Sequence, residues 1–354
     1  MDFGVLIAPL ADSWKTVQLA EELGFTRAWF YDTQMLNSEL FVSMAAAAMK
    51  TSKIRLGTGV LVPSNRIAPV TASALATLNA LAPGRIDFGV STGFTGRRTL
   101  GLGPVKLTDM EQYIRVVQGL LHGGTLEWDF EEKCRKIRFL DPDIGAINIK
   151  DPIPLHISAF GPRGRKLTAS LGAGWINNAA NVAHAKTGLA GMQADWAVAG
   201  RSMEDLHATL VAACCVLRDG EVCDSARVKS QIGANATVAL HSLAERAEFG
   251  DIGRPVPPNL AALVEGYRQV YLKYEPSDAR YLSNHRGHLM YLRPEEQQFC
   301  TAELIRNTTW TAPRDELRER LRETRAAGYR HFVVSLGYRH PGRLEEWAEI
   351  IQGV

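Results

Sequence analysis

The sequence is poor in cysteine, with five in 354 residues: Cys134, Cys214, Cys215, Cys223 and Cys300. The number is odd and the paired short spacings of a zinc or disulfide framework are missing, so all five are read as reduced thiols. No stretch approaches the roughly 18 apolar residues that a membrane span requires. The start, MDFGVLIAP, has no basic leader before its apolar run, and the cytoplasm is the expected compartment, with no membrane partner. Charge of one sign is also scarce. The formal net charge is +2, and the arginine pairs Arg97-Arg98 and Arg163 with Arg165 are local, so no nucleic-acid partner is expected. Neither a P-loop nor G-x-G-x-x-G occurs, which disfavours a nucleoside triphosphate or a Rossmann dinucleotide.

What is present is a repeated unit. Hydrophobic residues make up 46% and charged residues 22%, the mix of a folded chain with a sizeable core. Short apolar runs, each followed by an amphipathic helical pattern, are the signature of βα units and a parallel sheet. They fall at 3–9, 27–32, 53–63, 85–91, 153–158, 174–177, 207–217 and 331–337. Eight such runs favour a closed (β/α)8 TIM barrel over an open doubly wound sheet or two tandem domains. The expected organisation is one barrel domain over 1–354, with a long insertion between strands 7 and 8. Two segments break the repeat, about 123–152 and about 218–310, and loops that long in a compact domain are functional or disordered. The second holds the helical pattern NLAALVEGYRQVYLKY and the run YLSNHRGHLMYL, which predicts an ordered lid.

In a barrel of this kind the active site lies at the carboxyl ends of the strands. Those positions are rich in small residues, including Thr58-Gly59-Val60, Ser91-Thr92-Gly93 and Ser158-Ala159, leaving room for a large flat ligand. The stretch LHISAFGPRGRKLTASLGAGWI (155–176) reads as a strand, a turn and a helix. A helix start beside arginines suits a phosphate, because its first amides have no intrahelical partner. The plainer reading is a tight βα turn made by Gly and Pro. Five of the seven tryptophans, Trp14, Trp29, Trp175, Trp196 and Trp347, fall in helical or strand patterns and are expected in the core, and His156 is expected as a barrel residue.

Four stretches in order resemble the bacterial luciferase-like superfamily: Gly24-Phe25 with Trp29 and Asp32, IRLGTGV followed by Pro63 and Arg66, LNALAPGRIDFGVSTG (78–93), and the GPRG turn region. The resemblance covers about 1–217 and 311–352. It implies a (β/α)8 barrel that uses FMN or the deazaflavin coenzyme F-420. It also implies that Ser158, Gly161, Arg163 and Gly164 hold the cofactor phosphate, with Asp32, Thr58, Gly59, Val60, Ser91 and Gly93 around the ring. Members often carry a non-proline cis peptide on the third strand behind the ring, and Gly59-Val60 is the matching place. A homodimer through the Ala-rich second helix is the expected assembly.

The departures from the family pattern bear on activity. Thr33 stands where many members carry a histidine, and Phe94 where the sugar-phosphate dehydrogenases carry a glutamate. Ser91, a candidate catalytic position, replaces the reactive cysteine of the luciferases. His285 and His288, with Tyr291 close by, are the candidate proton-transfer groups, since histidine titrates near neutral pH. The H-x-x-H pair has no acidic or cysteine ligand at a convincing spacing, so no metal is expected. The leading expectation is a two-component monooxygenase: reduced FMN from a separate flavin reductase reacts with O₂ and oxygenates a small organic substrate through a flavin hydroperoxide. The alternative is an F-420-dependent reductase or dehydrogenase resembling the methylene-tetrahydromethanopterin reductases. A third reading is a non-catalytic flavin-binding protein.

Overall fold

The computed structural model describes residues 1–250, 256–338 and 342–354. Eight parallel strands close on themselves: β1 Asp2–Ile7, β2 Arg27–Phe30, β3 Arg55–Thr58, β4 Ile86–Val90, then β7 Leu155–Ser158, β8 Gly174–Asn178, β9 Ala208–Leu217 and β11 His331–Ser335. The ring is sealed where β11 pairs with β1 (Ser335 opposite Leu6) and β8 with β9 (Asn178 opposite Val211). Among the described residues three further strands lie outside it. β5 Leu126–Phe130 and β6 Lys133–Ile137 form an antiparallel hairpin in the first irregular segment, and β10 Trp310–Pro313 extends the sheet along the far end of β9. The four residues of β10, ending in Pro313, lie outside the eight runs read from the sequence.

Helices surround the barrel, and their ends follow from local chemistry. The Glu39 side chain accepts the amide hydrogen of Val42 at the start of Leu40–Lys50, and Asn181 does the same for His184 at the start of Val182–Val198. Left-handed Gly172 and Gly328 end Pro162–Leu171 and Arg314–Ala327. Trp29, Trp175, Trp196 and Trp347 are buried, whereas Trp14 is only partly so. Among the described residues no helix is long and apolar enough to cross a membrane.

The segment after β9 builds a second layer. Helices Ala226–Ala244, Ala261–Tyr271 and Ala302–Thr308 enclose their own apolar cluster, including Ile232, Leu240, Tyr267, Tyr271, Phe299 and Leu304. Buried Arg343, on the C-terminal helix Arg343–Ile351, ties this layer to the barrel by donating to the carbonyls of Gln231, Cys214 and Ser335.

Inside the barrel, side chains alternate in layers. Trp29, Ile176, Val211 and Val333, with Leu6 and Val60 against them, form an apolar upper layer. Gly57 is required there, because a Cβ on it would lie 2.5 Å from the Trp29 ring. Below is a polar layer. The buried Asp87 carboxylate accepts from Arg55 Nη2 at 2.7 Å and Arg27 Nε at 3.3 Å, with His156 Nε2 at 3.6 Å. Burial alone would raise the Asp87 carboxyl, but His156 and Arg55 hold it far below the usual carboxylate range. Burial and the neighbouring His156 bring His207 down to about 4.

Removing the carboxylate strands two guanidinium groups, so Asp87→Ala should lower unfolding free energy by about 3 kcal/mol. The urea midpoint at unchanged slope measures it. Because the folded value is depressed, this contribution is complete above about pH 4 and is lost only as the pH falls through the folded value. Acid should therefore narrow the gap between wild type and variant.

Candidate active site at the barrel mouth

The GPRG turn leads directly from β7 into a ten-residue helix. Gly161 is extended (φ −84°, ψ 162°), Pro162 occupies the first turn, and no side chain caps the helix start. Arg163 is exposed at this end, while Arg165 is already committed, donating Nε to Asp195 at 2.9 Å and Nη1 to the Phe160 carbonyl. Arg163, Ser158 and the free helix amides thus sit together on the rim. That is a set of donors able to bind a phosphate without any neutralising side chain from the protein.

Across the mouth, the Gly59-Val60 peptide bond is cis, as the resemblance implies. Val60 rests on the apolar layer of Leu6, Trp29, Ile176, Val211 and Val333, which makes a flat hydrophobic floor. Gly93 is left-handed (φ +78°), and a Cβ there would lie 2.7 Å from Val62. The loop after β4 therefore folds tightly over the loop after β3.

Several residues expected around a ring are instead spent within the protein. Asp32 is buried and accepts both from Arg66 Nη1 at 3.0 Å and from the Val62 amide at 3.0 Å, with Asn65 Nδ2 at 3.1 Å. Its work is to set the loop after β3. Thr58 is also buried, donating to the Gly89 carbonyl at 2.6 Å and accepting the Gly89 amide at 2.9 Å. It latches β3 to β4, and its one hydrogen is spent on that bond. Ser91 is half-buried and donates to the Ser158 carbonyl at 2.9 Å, which joins β4 to β7 beside the GPRG turn. Thr33 Oγ accepts from Asn37.

His285 and His288 are not on a flexible polar loop. Both are buried, together with His241 of helix Ala226–Ala244, which sequence reasoning missed. His288 Nε2 lies 3.1 Å from Thr95 Oγ1, in the loop after β4, so the cluster abuts the mouth. His241 Nε2 is 2.6 Å from Glu296, and His285 Nε2 is 2.9 Å from Glu245. Burial alone would raise the Glu296 carboxyl, but His241 and Arg293 bring it down to about 2. Burial, reinforced by the neighbouring imidazoles, depresses His288 well below the ordinary histidine value. Phe94 meets His285 edge-on, with the Arg98 guanidinium over the Phe94 ring. The available signal was His241 four residues before Glu245 on a helical pattern, one turn apart on the same face.

Known proteins place this architecture. The chain is 28% identical over 227 residues to a 5,10-methylenetetrahydromethanopterin reductase of Archaeoglobus fulgidus, a match spanning 62% of this chain and 65% of that protein. It is 33% identical over 141 residues to an F-420-dependent glucose-6-phosphate dehydrogenase of Beutenbergia cavernae, spanning 38% and 40%. The chain thus matches less than two thirds of the length of either relative. The solved structure of a coenzyme F-420-dependent tetrahydromethanopterin reductase from Methanopyrus kandleri superposes with a TM-score of 0.70 at 19% identity, covering 98% and 97% of the two chains. The FMN complex of an oxygenating constituent of 3,6-diketocamphane monooxygenase from Pseudomonas putida superposes at 0.62 and 12% identity, covering 100% and 96%. Residues 5–331 match the family described as luciferase-like monooxygenase, and the chain belongs to that family of oxidoreductases.

Proposed function

We propose that the protein is a hydride-transferring oxidoreductase that uses the deazaflavin coenzyme F-420 at the barrel mouth. The observation that carries this reading is that its sequence relatives are named as methylenetetrahydromethanopterin reductases and F-420-dependent dehydrogenases. They favour the deazaflavin alternative over FMN-dependent oxygenation. The bound deazaflavin would supply the hydride chemistry. The chain's own part is to hold the phosphate on Arg163, Ser158 and the amides at Gly161–Gly164, and to support the ring on the Gly59-Val60 bulge above the apolar floor.

In this reading Ser91 positions the phosphate turn through Ser158. His285 and His288 support the insertion against the mouth, with their Nε2 atoms held by Glu245 and Thr95 and both rings buried. The layer built by helices Ala226–Ala244, Ala261–Tyr271 and Ala302–Thr308 acts as the lid that keeps water from the mouth. Copies pair through Leu40–Lys50, which leaves Val42 and Met49 exposed. FMN-dependent monooxygenation, with a separate flavin reductase, is the second reading, favoured by the structural likeness to the FMN-bound oxygenating constituent.

Anaerobic titration with reduced F-420 and reduced FMN, followed by admission of air, separates the two. Selective F-420 binding with no oxygen reaction is expected, whereas selective FMN binding with a transient absorbance after O₂ would establish the second reading. A hydrogen bond to a charged group contributes about 1.5–3 kcal/mol, so Arg163→Glu should weaken binding of the preferred cofactor by about 10- to 100-fold. Unchanged affinity at unchanged circular dichroism removes the phosphate-turn argument.

A further inference from the structure

The three buried histidines form an arrangement that hydrogen bonds alone do not explain. His241, His285 and His288 are each 1% exposed. Their Nδ1 atoms face one another: His241 to His288 at 2.9 Å and His285 to His288 at 3.3 Å. Their Nε2 atoms point outward to Glu296, Glu245 and Thr95.

The hydrogens can be counted. Glu296 accepts from Arg293 and Tyr267, and Glu245 lies against Arg98 Nε at 3.2 Å and accepts from Asn284 at 3.0 Å. Both carboxylates are therefore acceptors, and His241 and His285 donate to them through Nε2–H. In neutral rings this leaves bare lone pairs at Nδ1 of His241 and His285, both directed at His288 Nδ1. That atom carries at most one hydrogen, so one of the two short contacts is left without a proton. Supplying every contact with a proton would place imidazolium ions side by side in a site closed to water, at a high desolvation cost.

A single cation among the three Nδ1 atoms satisfies all of them with neutral rings. Two nitrogens at zinc-bonding distance in tetrahedral geometry lie about 3.4 Å apart, close to the 2.9 and 3.3 Å spacings about His288, and candidate ligand atoms of all three histidines lie within 4.8 Å of one another. The outer hydrogen bonds from imidazole to carboxylate are the supports that fix tautomer and ring orientation in metal sites. We infer that His241, His285 and His288 bind one divalent transition metal ion of the zinc class through their Nδ1 atoms, with Glu245, Glu296 and Thr95 as the outer hydrogen-bond partners. The ion would join the helix Ala226–Ala244 to the 285–288 turn and, through Thr95, to the loop after β4. Three imidazoles leave a fourth position for a water or another oxygen donor. This inference stands whichever cofactor the mouth takes.

The test uses the untagged full chain, stripped with chelator and then titrated with Zn²⁺ and with Co²⁺. Binding of about one ion per chain, a visible Co²⁺ band of four-coordinate character and a rise in melting temperature are expected. Glu296→Gln should weaken Zn²⁺ binding by about 10- to 100-fold through the outer hydrogen bond. His288→Gln should abolish the Co²⁺ band. Absence of a Co²⁺ band and of stoichiometric Zn²⁺ uptake in the wild-type protein would overturn the proposal and leave a proton-bridged cluster. Stoichiometric metal retained by folded His288→Gln would overturn it equally. Should either variant fail to fold, the wild-type titration decides alone.

Discussion

Closure of the parallel ladder is the constraint on which the rest of this molecule depends. Once β11 pairs with β1 and β8 with β9, no barrel edge remains, and every strand delivers its carboxyl end to the same rim. Residues far apart in sequence, such as Val60, Ser91, Ser158 and Ser335, then lie around one opening. Tyr31 and Ser335, 304 positions apart, come within 3.0 Å. No local element has to provide the site by itself.

The alternation of side chains along each strand divides the interior by height. The lower layer is polar and ionic, centred on Asp87 between arginines and histidines, and it is sealed from the rim by Trp29 and its apolar neighbours. A buried carboxylate is tolerable there because two guanidinium groups and an imidazole converge on it. The upper layer offers hydrophobic surface instead, and the polar groups on the rim above it are mostly strand-to-strand latches. Thr58 and Ser91 illustrate this: each side chain completes a hydrogen bond that holds two strands in register, and so shapes the mouth.

The segment after β9 is a folded layer with its own apolar cluster, and the histidine triad lies within it, where it meets the barrel. Its carboxylates are each balanced by an arginine, Arg98 for Glu245 and Arg293 for Glu296. Arg98 comes from the loop after β4, so the ionic pairing crosses from barrel to insertion. The same element that would approach a bound cofactor therefore also supports the triad. Phe94 packs between them, edge-on to His285 and beneath the Arg98 guanidinium.

The βα rhythm was legible in the sequence because strand and helix periodicity are local properties of apolar spacing, and each of the eight barrel strands overlaps one of the runs, with β1 and β8 extending one residue beyond theirs. The turn at Gly161-Pro162 and the Gly59-Val60 position were legible as well, since glycine and proline mark backbone geometry wherever they occur. The fates of Asp32 and Thr58 were not. Whether a polar side chain at a strand end faces a ligand or a neighbouring loop depends on Arg66, Asn65 and Gly89, whose approach only the closed sheet produces. Likewise β10 has no pattern of its own and exists because β9 runs on past the barrel. His241 is separated by 44 positions from His285 and sits on a helix, Ala226–Ala244, that was not picked out in the sequence. Periodicity assigns it to a buried face, but which groups share that burial is decided by packing. The sequence by itself thus determined the elements and their order, through local spacing and backbone preference, and tertiary structure alone decided which side chains are consumed in holding those elements together and which meet at a site.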